Sequence, residues 1–186
     1  MSKSETRAHL EKNAQVKRIE IHQGKLFKVV RDQIYYENHL TKTFDLILHP
    51  GAVALIPVND AGHLILVKQW RRAANQILIE LPAGTLEKGE DPQVCADREL
   101  REETGFKASE ITPLGGFYSA PGVFSEYLYL YLARGLSYDP LVGDDSEEID
   151  LLEIPLDQAL EMIHQGKIID AKTVAGLLWY NQWVNK

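Results

Sequence analysis

Glu99, Glu102 and Glu103 stand at i, i+3 and i+4 in the segment Gly84–Phe106, GTLEKGEDPQVCADRELREETGF. Wound as a helix, the three carboxylates fall within about 100° of one another on one face. Only Cys95 and Ala96 lie beside them one turn earlier, so small neighbours leave room for an approaching group. Clustered oxygen donors are what a hard cation such as Mg²⁺ requires. A plainer reading is a solvated helix laced by Asp97–Arg101 and Arg98–Glu102 pairs at i, i+4, each worth about a few tenths of a kcal/mol. Against it, Glu99 and Glu103 repel each other at the same spacing, and Glu102 adds to the repulsion. The helix alone leaves both readings open.

The residues around it decide. From Gly84 the chain reads G-x5-E-x7-R-E-U-x-E-E-x-G-U, where U is bulky and apolar. Gly84, Glu90, Arg98, Glu99, Glu102, Glu103 and Gly105 fill the fixed positions, and Leu100 and Phe106 the apolar ones. With each residue type at about 5–7% of ordinary composition, the odds of the fixed matches at one start are roughly 10⁻⁸. The chain therefore resembles the Nudix family, with its sequence box complete. The resemblance implies an α/β fold, an α/β/α sandwich with a mixed sheet, in which the box forms loop, helix and loop and the helix carboxylates hold catalytic Mg²⁺, with Mn²⁺ able to substitute. On that resemblance Glu99 and Glu103 are the principal metal ligands, Glu102 stands beside them, and the carbonyl of Ala83 is a further ligand. Arg98 orients a carboxylate by a bidentate contact rather than meeting the substrate. Gly84 and Gly105 become backbone-geometry positions. Glu90, in a Lys-Gly-Glu-Asp turn, is divided between a site role and support of the loop.

Further stretches narrow the substrate class. His49-Pro50-Gly51-Ala52-Val53-Ala54, Gln69-Trp70-Arg71, Glu80-Leu81-Pro82-Ala83-Gly84 and Ser119-Ala120-Pro121-Gly122 are similar to ADP-ribose pyrophosphatases. The likeness covers roughly residues 45–180 and is weaker before them, where comparable proteins carry a small β subdomain. It implies substrate-binding roles for Arg71, Glu80 and Pro121. A guanidinium fork suits a diphosphate or sugar rim better than a lysine does. Glu80 is balanced between a substrate contact and the end of a strand. In the resembling enzymes a loop glutamate serves as general base. Counting back from Ile154-Pro155, Glu147 in the acidic loop Gly143–Ile149 matches it best, with Glu148 next and Glu102 as the rival. The implied reaction is hydrolysis of the diphosphate of a nucleoside-diphosphate sugar, ADP-ribose giving AMP and ribose 5-phosphate. A phosphoanhydride is shielded from nucleophiles by its own charge, which bound cations neutralise. GDP-mannose or another nucleotide sugar is the alternative substrate. From another class, a sensor that binds ADP-ribose without cutting it would show an eroded box and an attached DNA-binding domain, and this sequence shows neither.

These residues need elements to hold them. The 186 residues suffice for a sizeable core, as one domain or one domain with a small appendage. We divide them into a tail and β subdomain over 1–45 and a hydrolase domain over 46–186. The formal charge of −7 argues against nucleic acid as a partner. No apolar run nears the roughly 18 residues of a membrane span, and the polar first fifteen residues lack the apolar stretch of a secretory signal, so a cytoplasmic protein is expected. The single cysteine, Cys95, excludes an internal disulfide. Strand-like segments cover Val16–His22, Leu26–Tyr36, Thr43–Leu48, Ala52–Val58, Leu64–Trp70, Ile77–Leu81, Thr112–Tyr118, Glu126–Ala133 and Ile149–Ile154. Asp91, Pro92 and Gly105 bound the box helix by cap, first turn and stop. Helices close the chain at Leu156–His164 and Asp170–Val184, and residues 1–14 form a loose or helical tail. The resemblance also implies a homodimer joined through the first strands. Tyr35, Tyr36, Phe44 and Trp70 are candidates either to stack on a base or to fill a core.

Overall fold

A computed structural model describes residues 2–37, 40–142 and 149–185. They form two units, one running to Pro50 and taking in Ala120–Glu126, the other made of Gly51–Ser119 and the chain from Tyr127 onward.

In the first unit the tail is helical. Ser2 caps α1 (Lys3–Asn13) by accepting from the Glu5 amide, and the Glu5 carboxylate accepts from the Ser2 amide at 2.6 Å. β1 (Gln15–Gln23), β2 (Lys28–Tyr35) and β3 (Thr41–Leu48) follow as an antiparallel sheet in that order. Bidentate Arg18–Asp32 and Arg31–Asp45 bridges tie neighbouring strands. The loop at 120–126 joins the end of β3, where the Ile47 amide donates to Val123 at 2.8 Å and the Ser125 amide to Ile47 at 2.9 Å.

The second unit is built on β4 (Ala52–Pro57), whose unbroken apolar run is buried on both faces. Ala54, Ile56 and Val58 look into one cluster, Val53 and Leu55 into the other. β4 lies in a mixed sheet of order β7-β4-β9-β8, formed with β7 (Ala83–Thr85), β8 (Phe106–Tyr118) and β9 (Tyr127–Tyr138). β4 runs parallel to β9 and antiparallel to β7. A second, antiparallel sheet has the order β10-β5-β6, from β5 (His63–Arg71), β6 (Gln76–Glu80) and β10 (Asp150–Pro155). On one side of the mixed sheet α2 (Pro92–Thr104) buries Cys95, Ala96 and Leu100 against Val53, Leu55 and Tyr131. On the other, α3 (Leu156–His164) and α4 (Ala171–Val184) close the cluster that holds Leu64, Leu66, Leu81, Leu130 and Ile154. The expected α/β/α sandwich with a mixed sheet is the observed fold. Among the described residues no helix is long and apolar enough to cross a membrane.

Three elements depart from the expected bounds. β8 starts at Phe106 rather than Thr112, and β9 runs on to Tyr138 rather than stopping at Ala133. Gly135 (φ 62°) is a close approach inside this ladder and not its end: a Cβ there would lie 2.1 Å from the Ser109 hydroxyl. The short β7 lies where the sequence placed only the end of a strand, because Pro82, without an amide proton, hides the pairing that resumes at Ala83.

Candidate functional site

The box helix, α2, is fixed at both ends. The Asp91 carboxylate accepts from the Gln93 amide, Pro92 opens the first turn, and Gly105 takes the left-handed conformation (φ 75°) that ends the helix. Arg98 sits among the acids. Its Nε and Nη2 donate to Glu90 Oε1 and Oε2 at 2.9 and 3.0 Å. Its Nη1 donates to Glu99 Oε1 at 2.7 Å and to Glu102 Oε2 at 2.9 Å. The bidentate partner of Arg98 is thus Glu90, whose carboxyl the guanidinium holds down at about 2. Glu90 Oε2 also accepts from the Glu87 amide at 2.8 Å, so Glu90 braces the loop. Burial pushes the Cys95 thiol well above its ordinary range, which keeps it protonated and inert.

Opposite the helix, β7 offers backbone. The Leu55 amide donates to the Pro82 carbonyl and the Leu86 amide to the Gly51 carbonyl, which makes Ala54–Ala83 a pair without hydrogen bonds between its members. Both the amide and the carbonyl of Ala83 therefore face away from β4, along the free edge of the sheet. The amide donates to Glu103 Oε2 at 2.8 Å. Gly84 lies directly under Glu99: a Cβ at this position would stand 1.8 Å from the Glu99 Cδ. Ala83, Glu99, Glu102 and Glu103 thus gather at one junction of strand and helix. Their side chains are turned to Arg98 and to the Ala83 amide, and among the described residues no three acidic, histidine or cysteine groups converge on one cation point. As a donor set, carboxylate oxygens on one face and a carbonyl on the facing edge fit a hard divalent cation, and Gly84 keeps the space for Glu99 to serve it.

The expected substrate residues are brought together in part. Arg71 ends β5 and Glu80 ends β6, and they meet bidentately: Arg71 Nε and Nη2 donate to Glu80 Oε1 and Oε2 at 2.8 and 2.7 Å. Glu80 is 1% exposed, and the Arg71 side chain 39%. Burial works against the Glu80 charge, but Arg71 and Lys172 outweigh it and hold the carboxyl below its usual range. Pro121 belongs to the other unit, in a turn where the Phe124 amide donates to the Ala120 carbonyl at 2.9 Å. Glu147 and Glu148 lie outside the described residues. Tyr36 is 5% exposed; its hydroxyl donates to Glu11 and accepts from Arg7, whose guanidinium covers the ring at 4.8 Å. It is a packing residue. Tyr35, Phe44 and Trp70 keep exposed faces.

Sequence reasoning missed Asp170, Lys172 and Thr173 at the start of α4. Asp170 Oδ2 accepts from the Thr173 amide and hydroxyl at 3.0 and 2.6 Å, and the Thr173 hydroxyl accepts from the Leu81 amide at 2.8 Å. Lys172 Nζ donates to Asp170 Oδ2 at 3.0 Å and to Glu80. The only local signal was a capping aspartate. Gln69, one residue before Trp70, is buried, and its Nε2 has no partner among the described residues.

A family model described as NUDIX domain matches residues 48–177. A methanol dehydrogenase activator from Bacillus methanolicus is 39% identical over 161 residues, covering 86% of this chain and 87% of that protein. An ADP-ribose pyrophosphatase from Bacillus subtilis is 36% identical over 156 residues, covering 83% and 84%. A GDP-mannose pyrophosphatase from an Enterobacter species is 33% identical over 182 residues, covering 83% and 94%. A crystal structure described as an ADP compounds hydrolase shares the fold, with a TM-score of 0.82 and 24% identity over 92% of this chain and 94% of that one.

Proposed function

Because the chain belongs to the Nudix family, we propose that it hydrolyses the diphosphate linkage of nucleoside-diphosphate sugars, with ADP-ribose, which yields AMP and ribose 5-phosphate, as the favoured substrate. The observation that carries this reading is the junction at which Glu99 and Glu103 of α2 face the Ala83–Gly84 backbone of β7, with Glu102 beside Glu99 on the Arg98 guanidinium. Mg²⁺, held by those carboxylates and the Ala83 carbonyl, would neutralise phosphate charge and acidify a water molecule. Mn²⁺ would substitute for it.

The remaining work falls to the chain's own groups. Arg98 holds Glu99 and Glu102 in orientation from behind, while Glu90 holds Arg98. Arg71 presents to the diphosphate the guanidinium donors that its bond to Glu80 leaves over, two of five being used there. Glu80 serves the substrate by fixing that guanidinium, and Pro121 is carried over as a substrate-binding residue from the resemblance of Ser119-Ala120-Pro121-Gly122. Glu147 takes the proton from the attacking water, with Glu102 as the rival for this task. The water oxygen bonds to one phosphorus, the bridging oxygen leaves with the other phosphate, and each product ends as a phosphomonoester. The same reading carries a cytoplasmic homodimer joined through β1–β3.

Incubation with a panel of nucleotide sugars and Mg²⁺, followed by separation of products, tests it. ADP-ribose should be consumed faster than GDP-mannose, and a chelator should abolish both reactions. Preference for GDP-mannose would move the substrate to that named for the Enterobacter relative, and binding of ADP-ribose without products would leave a sensor. A second reading, taken from the name of the 39% identical relative, is activation of a methanol dehydrogenase. Adding the chain to such a dehydrogenase and following its rate tests that separately.

A further inference from the structure

Resting on the hydrolase reading above, we propose that Lys172 is a positioning residue for the substrate-facing guanidinium of Arg71, acting through the Glu80 carboxylate that the two cations share. Glu80 is the most deeply buried of the three, and both its oxygens are engaged by Arg71. Lys172, only 13% exposed, meets the same Oε2 from the opposite element, the first turn of α4. Its own place is fixed by Asp170, which Thr173 grips through amide and hydroxyl, while the Thr173 hydroxyl accepts from the amide of Leu81, next to Glu80. Lys172 and Arg71 therefore reach one carboxylate from two sides, along a strand end that leads through Pro82 to Ala83.

Charge gives the arrangement its function. Arg71, Lys172, Glu80 and Asp170 together cancel. Shared between two cations, Glu80 neutralises neither fully, and Arg71 keeps a positive field toward solvent. Without Lys172 the cluster carries an uncompensated carboxylate in a site of low dielectric. Glu80 then takes up the whole charge of Arg71, and the surplus negative charge faces an anionic diphosphate. Lys172 contacts Glu80 and Asp170, not the helix carboxylates. Its loss thus acts on substrate binding and leaves the metal requirement alone.

The test is kinetic and calorimetric on the whole chain. Lys172→Gln should raise KM for ADP-ribose by about tenfold, the range of one charge-assisted hydrogen bond, with kcat within about twofold and the Mg²⁺ midpoint unchanged. Lys172→Arg, which keeps the charge, should restore KM to within about threefold of the native value. In an Arg71→Ala background, Lys172→Gln should add less than about twofold, because its effect passes through Arg71. Binding of the α,β-methylene analogue of ADP-ribose, followed by calorimetry without metal, reads the same coupling without turnover. A wild-type chain that cleaves no nucleotide sugar refutes the hydrolase reading, whereas the calorimetric arm still reports on Lys172. A full tenfold effect persisting in the Arg71→Ala background, or a fall in kcat at unchanged KM, overturns the proposal. If Lys172→Gln does not fold, Lys172→Met is read in its place. Failure of both to fold beside a folded, fully active Lys172→Arg makes Lys172 a purely structural pair and likewise overturns it.

Discussion

Gly84→Ala adds one carbon where the structure has no space for it. That carbon would stand 1.8 Å from Glu99 Cδ and 2.0 and 2.2 Å from its two oxygens. An ordinary carbon contact is about 3.5 Å, so the Glu99 carboxyl must retreat by roughly 1.7 Å, the difference between 3.5 Å and the 1.8 Å that the backbone allows. The side chain is flexible but not free to move at no cost, since Arg98 Nη1 holds Glu99 Oε1 at 2.7 Å. Misplacing a reacting or ligating group by about 1 Å costs around 10²-fold in rate. We therefore expect turnover of ADP-ribose to fall by at least about 10²-fold, with the Mg²⁺ midpoint moved upward. The fold should survive, because the backbone of Gly84 is not in the left-handed region and the weakened Arg98–Glu99 bond is worth about 1.5–3 kcal/mol. For a chain of this size that lowers the melting temperature by roughly 3–12 °C. Turnover across a metal titration, together with a thermal melt, measures both parts. A Gly84→Ala variant with native turnover and native metal midpoint would show that Glu99 does not act from its place against Gly84.

Arg71→Ala should raise KM for ADP-ribose by about 10–100-fold while the Mg²⁺ midpoint stays fixed; unchanged kinetics would return Arg71 to an ordinary surface residue. Glu147→Gln and Glu102→Gln separate base from ligand: a base that is not a ligand loses about 10²–10⁴-fold in turnover with metal affinity kept, whereas a ligand shifts the metal requirement upward. Near-normal turnover of Glu147→Gln at saturating metal would pass the proton to Glu102 or Glu148. Glu90, with its carboxyl held at about 2 against an ordinary 4.5, contributes stability that is fully present above pH 4.5 and lost as the pH falls toward 2. Glu90→Gln should accordingly lower the melting temperature at pH 7 and flatten its decline between pH 5 and pH 2; a variant that melts like the native chain at both ends would refute the Arg98 bridge.

The box was legible because its geometry is local. Glu99, Glu102 and Glu103 share a face by helical spacing alone, and Asp91, Pro92 and Gly105 mark the helix ends by their backbone chemistry. The double burial of β4 could likewise be read from a continuous apolar run. What could not be read depends on partners that only the folded chain brings together. Arg98 finding Glu90 rather than a helix carboxylate as its bidentate partner is set by how the 85–91 loop folds back. The sequence around Gly135 carries no sign of its role, and only the β8–β9 ladder makes it a close contact with Ser109. In the sequence Arg71 reads as a substrate contact and Glu80 as a substrate contact or the end of a strand, each by itself. That they hold each other follows from the β5–β6 pairing, and Lys172 joins them from a helix whose sequence gave only a cap.

The bonds from the Leu81 amide to Thr173 and from Lys172 to Glu80 each cross 92 positions of the chain. A growing polypeptide emerges from its N-terminal end, so α2 and its carboxylates can form while α4 is still unmade. Until residues 170–173 are synthesised and docked, Glu80 has one cation instead of two and the Leu81 amide lacks its acceptor. Loop closure over such a span adds only slowly to the entropic cost, but it must wait for the last helix. The Arg71 side of the site is therefore the part completed latest in biosynthesis, and an incomplete chain carries the box before it carries the means to hold Arg71 in place.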